Sequence, residues 1–137
     1  MSGHPRDDKP FALMRNLGLE EVIDHGESGR AVLRFRARMD QCHSGGVVQG
    51  GFVTGWIDST MAYVVMAQTD FALSPLSLEI KVSFLQSARI GPVVAEAWIE
   101  RRGRTTAFLE GLVRDEAGTV LAKATSTVKL VPRKPGS

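Results

Sequence analysis

The sequence predicts an α+β domain in which an antiparallel sheet wraps around one long central helix. Three observations lead there. A single apolar segment, Gly51 to Thr69, is long enough for a major helix. Two alternating segments precede it, and nearly everything after Phe71 alternates apolar with polar residues between tight turns. Such a sheet has one face free to bury the helix.

The elements follow in order. Phe11 to Leu17 reads as a short helix stopped by Gly18. Leu19 to His25 and Arg30 to Met39 read as strands around the turn Gly26-Glu27-Ser28-Gly29. In the second, Leu33 and Phe35 alternate with Arg34 and Arg36, the pattern of a sheet with one side wet. A Gly-rich loop, His43 to Gly51, opens into the helix. That helix is apolar nearly all round, which predicts burial on every side. Leu76 to Phe84, Val93 to Arg102, Arg104 to Asp115 and Thr119 to Val131 are four further strands. Arg102-Gly103-Arg104 and Glu116-Ala117-Gly118 are turns between them.

With 137 residues the chain fits one domain, expected over 11–131, between loose tails at 1–10 and 132–137. The first ten residues have no apolar core, so they read as neither signal nor anchor. The longest apolar run, Met61 to Ala67, is far below the ~20 residues that span a bilayer. A lone cysteine, Cys42, excludes an internal disulfide, and three scattered histidines do not make a metal site. A formal charge of +2, with Lys and Arg spread among acids, gives no support for a nucleic-acid surface. The expectation is a cytoplasmic protein without metal, membrane or nucleic-acid partner.

Asp58 stands apart. Between His43 and Asp70 it is the one residue with a formal charge at neutral pH. A carboxylate among apolar neighbours is costly unless paired, and its pKa tends to rise. It could merely bond loop amides, but Gly50 and Gly51 mark the helix start, where unpaired N–H groups and the helix dipole favour an anion or oxyanion. Eight helical residues rise about 12 Å, so Gly50 and Asp58 of one chain cannot both reach one carbonyl group. If both act on one bond, the chain is at least a dimer with its sites at the interface.

The segment His43-x-x-Gly46-x-x-Gln49-Gly50-Gly51, followed after six intervening residues by Asp58, resembles the hotdog-fold acyl-CoA thioesterases, above all the phenylacetate-pathway and 4-hydroxybenzoyl-CoA branches. The resemblance extends over roughly Leu17 to Val131. It implies a hotdog fold and hydrolysis of an aromatic or medium-chain acyl-CoA by a homodimer or homotetramer, with coenzyme A as part of the substrate and no cofactor. It also implies the site: Asp58 as base or nucleophile, the Gly50 N–H polarising the thioester carbonyl, His43 holding substrate or water, and Ser77 steadying the water. Gln49 replaces the family's frequent His, so a proton relay there is lost while an amide donor remains. Gly51, Trp56 and Met61 are candidates for contact with substrate. A hotdog enoyl-CoA hydratase or dehydratase and a non-catalytic acyl-CoA-binding protein are the alternatives; the hydratase wants a well-placed His where Gln49 stands.

Overall fold

The computed structural model describes residues 12–133. The tail expected at 1–10 lies outside that range, as does the part of the tail expected at 132–137 that begins at 134. Residues 12–16 are helical, and then come β1 (Leu19–His25) and β2 (Arg30–Ala37). A 3-10 turn (Met39–Gln41) leads to a miniature hairpin of β3 (Cys42–His43) and β4 (Val47–Val48). The helix α1 (Gly50–Gln68) follows. Four long strands complete the chain: β5 (Leu73–Phe84), β6 (Gly91–Arg102), β7 (Thr106–Asp115) and β8 (Val120–Pro132).

Six strands form one antiparallel sheet in the order β1-β2-β6-β7-β8-β5, with α1 packed on one face. This is the arrangement that the resemblance implied. The inward positions of the central strands are small where the helix comes closest: Ala95, Ala97, Gly111, Ala122 and Ala124. They form a trough for Trp56, Ile57, Met61 and Val64, all at most 1 % exposed. Burying such a side chain contributes about 1.5–3 kcal/mol. At Gly111 the fit is tightest, since a Cβ there would stand 2.8 Å from Ile57 Cγ2 and 2.9 Å from the Glu96 carbonyl. The other face is wet, as the Arg alternation in β2 predicts. Arg36 pairs with Glu20 at 2.6 Å, Arg114 with Glu96 at 2.7 Å, and Arg30 also with Glu96.

Four differences from the sequence reading carry information. β2 ends at Ala37 because Met39–Gln41 turns the chain into the β3–β4 hairpin, whose two-residue strands are too short to show a period. Gly45 and Gly46 adopt φ values of +88° and +74°, which L side chains resist, and so close that hairpin. β8 runs on through Pro132, and the Arg133 N–H donates to the Ala72 carbonyl at 2.9 Å, so the last strand takes in part of the expected tail. Finally, α1 is not buried on every side. Gly51 and Asp58 are exposed, with Thr54, Gly55 and Ala62 half-buried between and beyond them. Their spacing puts them on one outward stripe of the helix.

Candidate active site

The site begins with the accounting of backbone donors at the start of α1. Gln49 is the N-cap, in an extended conformation with φ −65° and ψ 139°. Its side-chain oxygen accepts the Gly51 N–H at 2.9 Å, and its carbonyl accepts from Phe52 at 3.0 Å and Val53 at 3.4 Å. The Gly50 N–H has no acceptor among the described residues. One donor is thus left, at the positive end of a 19-residue helix whose first turn holds no acid. Gly51 has a steric reason of its own: a Cβ there would stand 2.7 Å from Gln49 Oε1.

What holds this start in place is a network that the sequence did not single out. Gln41, 2 % exposed, accepts the Gln49 N–H on its backbone carbonyl at 2.9 Å. Its side-chain oxygen accepts the Arg38 N–H at 3.0 Å, and its amide nitrogen donates to the Leu17 carbonyl at 3.4 Å. The Leu17 carbonyl also accepts from Trp56 Nε1 at 2.8 Å. A lone glutamine in a loop has no periodicity to reveal it, so only the tertiary structure shows this hub.

Asp58 lies on the outward stripe of the helix, where its carboxylate makes no hydrogen bond or ion pair to any described residue. It is exposed in the single chain, yet partial burial against the helix surface pushes its pKa above the ordinary carboxylate value. The reading in which Asp58 is occupied by loop amides does not hold. Ser77 pairs in register with the buried Val128, which puts it on the helix-facing side of β5, and it is exposed there. A register shift separates it from Glu79, whose carbonyl accepts the Ser126 hydroxyl at 2.9 Å. His43, on the exposed hairpin, has its Nδ1 3.0 Å from the Ser44 carbonyl. Trp56 and Met61, at 0 % and 1 % exposure, are part of the core and present no free surface to a ligand.

A groove of about 360 Å³ runs beside the Gly50 end of the helix. Phe84, a residue outside the sequence motif, stands over Gly50, with its ring 3.3 Å from where a Cβ would be. Among the described residues no group of three or more His, Cys, Asp or Glu is placed to hold a metal, and no helix is long and apolar enough to cross a membrane.

The sequence and the fold are matched by known proteins. The family model of the thioesterase superfamily matches residues 45–122. A Saccharolobus solfataricus protein named as a candidate esterase is 32% identical over 106 residues, covering 77% of this chain and 75% of its own. A Ralstonia eutropha structure, described as a candidate thioesterase related to phenylacetic acid degradation, is 29% identical with a TM-score of 0.78, covering 86% of this chain and 89% of its own. A hypothetical thioesterase of Streptococcus pneumoniae, solved with coenzyme A, shares the fold at 18% identity and a TM-score of 0.75, covering 83% and 90%. With more than half of its length matched by the family model, and with that model laid across the start of α1, Asp58 and most of the sheet, the chain belongs to the thioesterase superfamily and is a thioester hydrolase.

Proposed function

We propose that the chain hydrolyses acyl-CoA thioesters with an aromatic or medium-chain acyl group, at two equivalent sites shared across a homodimer. The observation that carries this reading is the pairing, among the described residues, of an unsatisfied N–H, at Gly50, with an unpartnered carboxylate, at Asp58, on the same helix. The coenzyme A held by the Streptococcus pneumoniae neighbour supports the coenzyme as the thiol half. The Ralstonia eutropha neighbour's link to phenylacetic acid degradation supports an aromatic acyl half.

Separation on the helix argues for two chains. Eight residues along α1 place Gly50 and Asp58 about 12 Å apart, too far to act on one carbon. Antiparallel pairing of two copies of α1 brings Asp58 of one protomer to Gly50 of the other. The exposed stripe that carries Asp58 is the face a second copy would meet.

The chemistry then needs little else. The thioester oxygen accepts the Gly50 N–H. Asp58, as the carboxylate, either takes a proton from water as it attacks the carbonyl carbon or attacks that carbon itself. In both routes the negative charge collects on the oxygen at Gly50, the C–S bond breaks, and the thiolate departs to be protonated. On the first route Asp58 returns its proton to the thiolate or solvent, and on the second water cleaves the Asp58 anhydride, releasing the acid and restoring the carboxylate. Gln49, occupied as the cap of Gly51, keeps Gly50 as the free donor. In this reading His43 and Ser77 steady the incoming water or thioester. No cofactor enters the scheme.

Thiol release from a panel of acyl-CoA thioesters tests it. Asp58→Asn should lose about 10²- to 10⁴-fold in kcat, the usual worth of a positioned base. Asp58 works only when ionised, so the parent's rate should fall as pH drops through a pKa above the ordinary carboxylate value. The residual activity of Asp58→Asn should lack that acid limb. An unchanged rate in Asp58→Asn overturns the mechanism. Binding without thiol release would point to an acyl-CoA-binding protein instead, and water addition to an enoyl-CoA to a hydratase.

A further inference from the structure

The groove beside Gly50 is lined by Val47, Val48, Val53, Phe84, Leu85 and Ala88, with Gln86 and Ser87 as its polar side chains and no charged residue. Nothing in it can neutralise a phosphate, so it is unsuited to the nucleotide end of coenzyme A. Its apolar walls fit the other half of a thioester, and 360 Å³ is near the small end of ligand pockets. The backbone of Gly50 lies on its edge. A carbonyl oxygen bonded to the Gly50 N–H therefore leaves its acyl substituent one bond away from these walls.

One wall stands out. Phe84 ends β5 and pairs with Ala122, on the side of the sheet that faces the helix. Its Cζ and Cε1 lie 3.3 and 3.4 Å from an ideal Cβ on Gly50, so the ring rests directly on the residue with the free donor. Although apolar and large, it is 56 % exposed in the single chain. A ring this open that touches the helix start is positioned to meet whatever enters the groove, and a ring edge or face is a good surface for an aromatic or methylene partner.

We propose that Phe84 selects the acyl group: its ring is the wall against which the acyl chain or ring lies when the thioester oxygen is held at Gly50. This rests on the thioesterase reading above. Phe84 is then a determinant of specificity and takes no part in the proton transfer or the attack.

The test is kcat/KM across acetyl- to decanoyl-CoA together with benzoyl- and phenylacetyl-CoA, for the parent, Phe84→Ala and Phe84→Leu. One methylene in an apolar pocket changes kcat/KM by about 10- to 200-fold. Removing the ring should therefore raise the ratio of long to short substrates by about 10-fold or more and move the optimum to longer chains. Phe84→Leu should move it part of the way, and it carries the test if Phe84→Ala does not fold. Inhibition by free coenzyme A should stay the same in the variants. An active parent whose variants lose rate by one common factor on every thioester overturns the inference alone. A parent that releases no thiol from any of them overturns the thioesterase reading and this inference together.

Discussion

Gly50 occupies a position where proline could replace it without disturbing the backbone. It is the first helical residue after the Gln49 cap, the one place in a helix where a missing N–H breaks no internal bond. The residue before a proline must be extended, and Gln49 already is, at φ −65° and ψ 139°. Gly50→Pro and Gly50→Ala both add a Cβ against Phe84, and of the two only Pro deletes the unclaimed donor, so the comparison isolates the N–H. Loss of a preorganised oxyanion donor typically costs about 10²- to 10³-fold in kcat. Gly50→Pro should fall by that much with its melting temperature within a few degrees of the parent, and Gly50→Ala should retain far more activity. Equal activity in the Pro and Ala variants would remove Gly50 from the mechanism. At this scale the sequence was informative about residue types and blind to bonding. A carboxylate alone in an apolar helix is visible in one dimension. That Gln49 spends its side chain on Gly51, and that Gln41 ties the loop to the helix, depends on partners up to 24 residues away.

The elements were legible wherever they were long enough to show a period. The six sheet strands and α1 stand close to where alternation and apolar runs place them, with ends moved by a few residues. The β3–β4 hairpin was lost because two residues have no period. The outward stripe of α1 was lost for a different reason. It is built from Gly, Thr and Ala as well as Asp58, and small residues read as apolar whether they face a core or another surface. The opposite face has no such slack. Gly111→Ala would push a methyl into Ile57 and the Glu96 carbonyl, and the carbonyl belongs to a sheet strand that cannot yield easily. Overpacking of this kind costs typically about 1–3 kcal/mol. The denaturation midpoint of Gly111→Ala should drop accordingly in urea, and in a double-mutant cycle with Ile57→Ala, which removes the Cγ2 in the way, the combined loss should be smaller than the sum of the two single losses. An unshifted midpoint would mean that the helix sits more loosely in its trough than the contact distances imply.

The whole molecule is unequal at its two edges. β1 is seven residues long and broken by two register shifts, which blunts it against further pairing. β5 is twelve residues long, has one shift, and exposes Leu76 and Leu78, at 56 % and 60 %. Glu79 and Lys81 are its only charged residues. An edge of that length and character is suited to a second copy of itself, the same partner that the proposed shared site requires. Mixing two inactive proteins checks this directly. Asp58→Asn and Gly50→Pro protomers, unfolded together and refolded, should form mixed dimers in which one of the two sites is intact, giving about a quarter of the parent activity at random pairing. No recovery would place both groups' work within single chains. The same edge has a consequence during synthesis. In the proposed dimer, β5 is a bare ribbon until a newly made chain meets its counterpart, open to any extended segment nearby, including those of unfinished neighbours. Slow, cool expression then favours soluble yield, because it gives each ribbon time to find its twin before it finds something else.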